Sequence, residues 1–173
     1  MTLIDNQMLW RQVGAAIDTL AGALNTCPDD LWERPLWEDP EDEWVSAGFS
    51  RFWYLAYHTL FWLDFYLTAD QESFAPPAPF NLDELQADAP LPRTYTRAEL
   101  LDYLAFCRQK CQDTILALTA GEARRPYHFR WGDMPYAELQ LYNMRHVQEH
   151  AAQLHLFLGQ QAGHDAKWVS QAE

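Results

Sequence analysis

Positive charge is scarce in this chain. Its 173 residues include 12 lysines and arginines against 25 aspartates and glutamates, for a formal net charge of −13. Beyond the Arg124-Arg125 pair there is no basic cluster, and neutralising nucleic-acid phosphates requires one. Attraction to an anionic lipid surface is disfavoured on the same ground. Cysteine is scarce as well. Cys27, Cys107 and Cys111 form an odd set without the spacing of a disulfide scaffold. No uninterrupted apolar run is long enough to span a bilayer. The opening residues, Met1 to Gln7, lack a basic region followed by an apolar one, so no secretory signal is visible. Together these absences set the expectation of a cytoplasmic protein that engages neither nucleic acid nor membrane.

What the chain does have is core-forming material. Hydrophobic residues make up 49% and aromatic residues 14% of it, with eight tryptophans, enough for one domain spanning residues 1–173 without staples. Four stretches carry the period of an amphipathic helix. The first covers 3–26, with Leu3, Trp10, Val13, Ile17, Leu20 and Leu24 on one stripe and Pro28 closing it. The second covers 47–69 and places Leu55, His58, Trp62 and Phe65 on one face. Thr96-Arg97-Ala98-Glu99 reads as a capping box opening the third. That helix continues through Leu100, Leu104, Cys107, Cys111, Ile115 and Leu118 to a stop at Gly121. Pro135 sits near the first turn of the fourth, a favoured place for proline. Its stripe is Leu139, Asn143, His146, His150, Leu154 and Phe157, with Gly163 just past its end. No repeat and no strand-like alternation long enough for a sheet interrupts this pattern. The fold class is therefore all-α, a four-helix bundle. The proline-rich stretch 70–95 is a crossover between helices two and three, because a long connection can run the length of a bundle.

Three histidines occupy positions on these stripes where apolar residues are expected. His146 and His150 are spaced i, i+4, so both imidazoles leave one helix face a turn apart. His58 lies at a matching depth, midway along helix two. Buried imidazole nitrogens left without partners cost about 1–3 kcal/mol each, and a metal ion removes that cost. A three-nitrogen set leaves coordination positions open, which suits a catalytic metal better than a structural one. The ordinary alternative is a core histidine bonded to a backbone carbonyl, to Asn143, to Tyr57 or to water.

The remaining candidates carry less. His155 is off the ligand face and reads as a surface or partner-contacting residue. Cys107 and Cys111, also i, i+4, read as core, since buried cysteine commonly acts as a small hydrophobe. Trp62 and Asn143 are expected to wall the site. Arg124, Arg125 and Arg130, in the loop 123–134, are candidates to meet a substrate carboxylate, with charge compensation of an acidic surface the stronger reading. Asp64 and Arg145 read as ion-pair residues. No catalytic acid or base emerges.

The segment beginning His58-Thr-Leu-Phe-Trp-Leu-Asp-Phe-Tyr-Leu and the block from Asn143 through Arg145-His146-Val147-Gln148-Glu149-His150 to Leu154 resemble the two signature blocks of the DinB-like superfamily. These metal-dependent bundle proteins include thiol-dependent S-transferases and mycothiol-dependent isomerases. The resemblance implies an up-down-down-up bundle with a divalent metal, zinc or nickel first and iron as a further option, on His58, His146 and His150. It also implies a small-molecule substrate, a low-molecular-weight thiol as co-substrate, and a homodimer. Many relatives carry another histidine where this chain has Glu149, which puts residues behind the ligands in question. The expected function is a metal-dependent transferase or hydrolase. The alternative is a stress-response or small-molecule-binding protein whose metal is structural or absent.

Overall fold

The computed structural model describes residues 5–39, 41–86, 89–129, 132–165 and 167–173; Leu3 and Arg130 lie outside them. Four long helices, α1 (Asn6–Thr26), α2 (Phe52–Leu67), α3 (Arg97–Leu116) and α4 (Tyr136–Ala162), build the bundle. Their directions follow from their partners. Asn6, opening α1, bonds the Leu116 and Leu118 carbonyls at the far end of α3, and Arg97, opening α3, bonds the Cys27 carbonyl beyond α1. Those two helices are antiparallel. Cys107 meets Leu60, and Lys110 meets Asp64 and Thr68, the order of a parallel α2–α3 pair. Gln140 bonds Tyr66 and Asn143 bonds Leu63, so α2 and α4 are antiparallel. The result is the expected up-down-down-up bundle with its crossover between α2 and α3.

The expected stripes form the core. Trp10, Val13, Ile17, Leu20 and Leu24 of α1 are buried, as are Leu100, Leu104, Cys107, Cys111 and Ile115 of α3. Burial pushes the Cys111 thiol up to about 12, and Cys107 is also raised, so both stay protonated and serve as core. Asp64, also buried, receives Lys110 Nζ at 2.5 Å and the Tyr103 hydroxyl at 3.0 Å, an inter-helix ion pair as read from sequence. Among the described residues, no helix is long and apolar enough to cross a membrane.

The helix ends show where local signals suffice. Thr96 and Glu99 form the capping box of α3, and Gly163, at φ 64°, closes α4 in the left-handed conformation glycine tolerates. In contrast, α2 begins at Phe52 rather than 47. Arg51 supplies no side-chain cap. The Phe52 and Trp53 amides donate instead to the carbonyls of Arg34 and Trp32, at 3.0 and 3.1 Å. The connection between α1 and α2, which carries Trp32 and Arg34, thus folds back to satisfy groups that every helix start leaves open. Helix α3 stops at Leu116 instead of Gly121, because Thr119 opens a separate capped turn, Ala120–Ala123. The expectation of no sheet is also corrected. Pro126–Phe129 (β1) and Gly132–Pro135 (β2) pair antiparallel as a small hairpin before α4, in strands of four residues each.

The crossover is held by aromatic rings. Phe74 packs edge-on against Phe61 and Phe65, with centroids 5.3 and 5.1 Å apart. Phe80 stacks on Tyr103 at 4.4 Å and on Tyr57 at 5.7 Å. These anchors carry the short turn Asp83–Leu85 onto the one open side of α2. Of that helix's 16 residues, only His58 and Trp62 are not buried.

Candidate metal centre

Antiparallel packing of α2 on α4 brings His58 to the level of His146 and His150. The Nε2 atoms of His146 and His58 are 3.4 Å apart, and those of His150 and His146 are 3.1 Å apart. Ring centroids are separated by 4.5 Å within α4 and by 5.3 Å from His58 to either partner. Among the described residues, these three are the group of histidine, cysteine and acidic side chains able to hold a metal ion, with one donor atom from each inside a mutual 4.8 Å.

The outer ring nitrogens show what the inner ones carry. His58 Nδ1 lies 2.5 Å from Glu84 Oε1, and His150 Nδ1 lies 2.8 Å from Gln153 Oε1. Both oxygens accept only, so each Nδ1 donates, and in the neutral ring each Nε2 then presents a lone pair inward. His146 can place at most one proton between two such acceptors, and its own buried Nδ1 has no partner. Hydrogen bonding therefore leaves this cluster of nitrogens short of donors. A divalent cation satisfies all three lone pairs, and the residues fit one.

Burial keeps the α4 pair neutral. Desolvation, and then the neighbouring His150 and His58, push His146 down to about 3, and desolvation is also the main cause lowering His150. Neither ring surrenders a proton to bind a cation at neutral pH. The sign for stability follows from His146 binding a proton near pH 6.5 when unfolded but only near 3 when folded. The chelated protein is expected to lose stability as pH falls through this window, by up to ~1.4 kcal/mol per unit from His146 alone. Urea unfolding from pH 7 to 4 measures it, and His146→Leu is expected to flatten the slope.

Against His58 lies a cavity of about 250 Å³, walled by Phe49, Tyr54, Tyr57 and Trp62 and bordered by Asp83 and Glu84. Trp62 walls the site as expected and donates from Nε1 to Glu84 at 3.3 Å. Asn143 is one turn away from the cluster, buried, its amide given to the Leu63 carbonyl. Tyr57 and Asn143 are not the partners of the histidines; Glu84 and Gln153 are. Arg125 bonds the Ala69 carbonyl at 2.6 Å and lies over Tyr136, at the hairpin end, while Arg124 is exposed; neither lines the cavity. The loop does reach the histidines' surroundings, through Phe129, which packs on Tyr66 beside His146. Glu149 and Arg145 are exposed. His155 is not a surface residue awaiting a partner: its Nε2 meets the Thr19 carbonyl at 2.9 Å and joins α4 to α1.

Sequence reasoning missed Glu84. It lies in an aperiodic, proline-rich connection, where nothing local marks one carboxylate among many.

A four-helix bundle with one histidine from its second helix and an i, i+4 pair from its fourth defines a class of bundle with a metal-compatible core. The model of the DinB superfamily matches residues 8–154, most of the chain, and the protein belongs to that superfamily. No match to a curated protein or to a solved structure was found.

Proposed function

We propose that this protein is a metal-dependent enzyme acting on a small molecule, with transfer of a low-molecular-weight thiol as the leading reaction and hydrolysis as its variant. The supporting observation is the convergence of three imidazole rings, with His58, His146 and His150 as the ligands. A divalent ion held by neutral ligands keeps its full charge, which would acidify a bound water or thiol at an open position. Zinc or nickel heads the choice by family resemblance, since imidazole also suits copper and iron. A homodimer in the cytosol belongs to the same proposal.

The chain's own residues supply the rest. Phe49, Tyr54, Tyr57 and Trp62 offer apolar walls next to His58 for the body of a substrate. Burial and the Glu84 carboxylate push the Tyr54 phenol far up, so it remains a donor across the physiological range.

The test compares chelated and untreated protein in two assays: thermal unfolding, and consumption of small thiols with an electrophile or of simple esters. The expected result is abolished turnover with the fold retained, because the apolar core does not depend on the ion. Large destabilisation on chelation, with no turnover in either state, would favour a structural metal, whose binding energy is folding energy.

A further inference from the structure

We infer that Glu84 is the positioning residue of the centre, holding His58 in the tautomer with its proton on Nδ1 and its Nε2 lone pair aimed at His146 and His150. Its importance for a metal rests on the ligand reading above, while its effect on the His58 ring does not.

The carboxylate is nearly buried, 7% exposed, and is fixed at both ends. Oε1 meets His58 Nδ1 at 2.5 Å and the Trp62 indole at 3.3 Å, and Oε2 takes the Tyr54 hydroxyl at 2.6 Å. Residues 54, 58 and 62 are successive i, i+4 positions, so one side of α2 grips one carboxylate over two turns. Glu84 falls outside the donor set gathered within 4.8 Å. Turning inward to become a ligand itself would break its bonds to Tyr54 and Trp62. An ionised carboxylate only accepts, so His58 must donate from Nδ1. Such a partner orients an imidazole and raises its basicity as a ligand. The three rings are thereby graded: His58 has a carboxylate behind it, His150 an amide oxygen, and His146 nothing. The strongest support comes from the crossover, outside the bundle, so metal affinity and crossover docking are thermodynamically linked.

A merely structural Glu84, tying the crossover to Tyr54 and Trp62, would leave the His58 tautomer indifferent to its removal. Long-range proton–nitrogen NMR of uniformly labelled, metal-stripped protein reads the tautomer directly. The wild type is expected to show His58 protonated on Nδ1. Glu84→Leu, which removes the acceptor that an amide would keep, is expected to lose that preference, with His150 unchanged. Zinc titration against a competing chelator should then show about 10–100-fold weaker binding in the variant. A His58 tautomer that is the same in Glu84→Leu overturns the inference. So does a wild-type His58 protonated on Nε2, a result that decides the matter even if the variant does not fold. A tautomer that responds to Glu84→Leu in a protein that takes up no zinc upholds the positioning role and refutes the ligand reading instead.

Discussion

His146→Leu is expected to cost the protein its metal while leaving the metal-free bundle at least as stable as before. His146 is the central ring, within 3.4 Å of both other Nε2 atoms, and its removal leaves two ligands that no longer enclose an ion. Structural zinc sites with four ligands bind with roughly 10–16 kcal/mol, so one ligand is worth ~3 kcal/mol, a loss of about 100-fold or more. Stability moves the other way because the ring is a burden to the apo fold. Its Nδ1 is buried without a partner, and its neutral form is enforced by desolvation. Removing an unsatisfied buried group recovers about 1 kcal/mol or more. Competition titration with a coloured chelator and urea unfolding of the stripped protein check the two halves. Undiminished affinity, or a metal-free protein weakened by several kcal/mol, would contradict this.

Asp64→Ala is expected to destabilise the fold by about 3 kcal/mol, with metal content untouched. The carboxylate is 1% exposed and collects Lys110 and Tyr103 from α3. Its loss strands a cation and a phenol between α2 and α3, and breaking one partner of a buried pair costs about 3–5 kcal/mol. The lower end applies because Lys110 is 26% exposed and keeps some hydration. Asp64→Asn, which preserves shape and an acceptor for Tyr103, is expected to cost less. Denaturant midpoints at constant slope measure both. A change within 0.5 kcal/mol of wild type, the ~0.5 kcal/mol range of ordinary surface substitutions, would mean the pair holds nothing together.

What could be read in the sequence was what is local or periodic. The Thr96–Glu99 box, the Gly163 stop and the spacing of His146 and His150 are set within one turn or at one residue, and each stands in the structure as expected. The partnership with His58 was legible because two stripes of similar depth had to meet. The start of α2 was not, since its caps are carbonyls from residues 32 and 34, brought back by tertiary folding. His155 was misplaced because a position off the ligand face was equated with solvent. Helix α4 packs on two neighbours, and that face meets α1 at Thr19. The hairpin strands, four residues each, are too short for alternation to register. Glu84 is the instructive omission. Its role depends on where aromatic anchors at Phe74 and Phe80 set down a chain segment that has no period of its own.

Metal content tests the central claim most directly. Protein purified without an affinity tag or chelator, and analysed by plasma mass spectrometry beside His146→Ala/His150→Ala, is expected to carry about one equivalent of zinc, nickel or iron that the double variant lacks. An empty wild type, even after reconstitution with each divalent ion, would contradict the claim and leave a helical bundle with a polar cluster of histidines at its core.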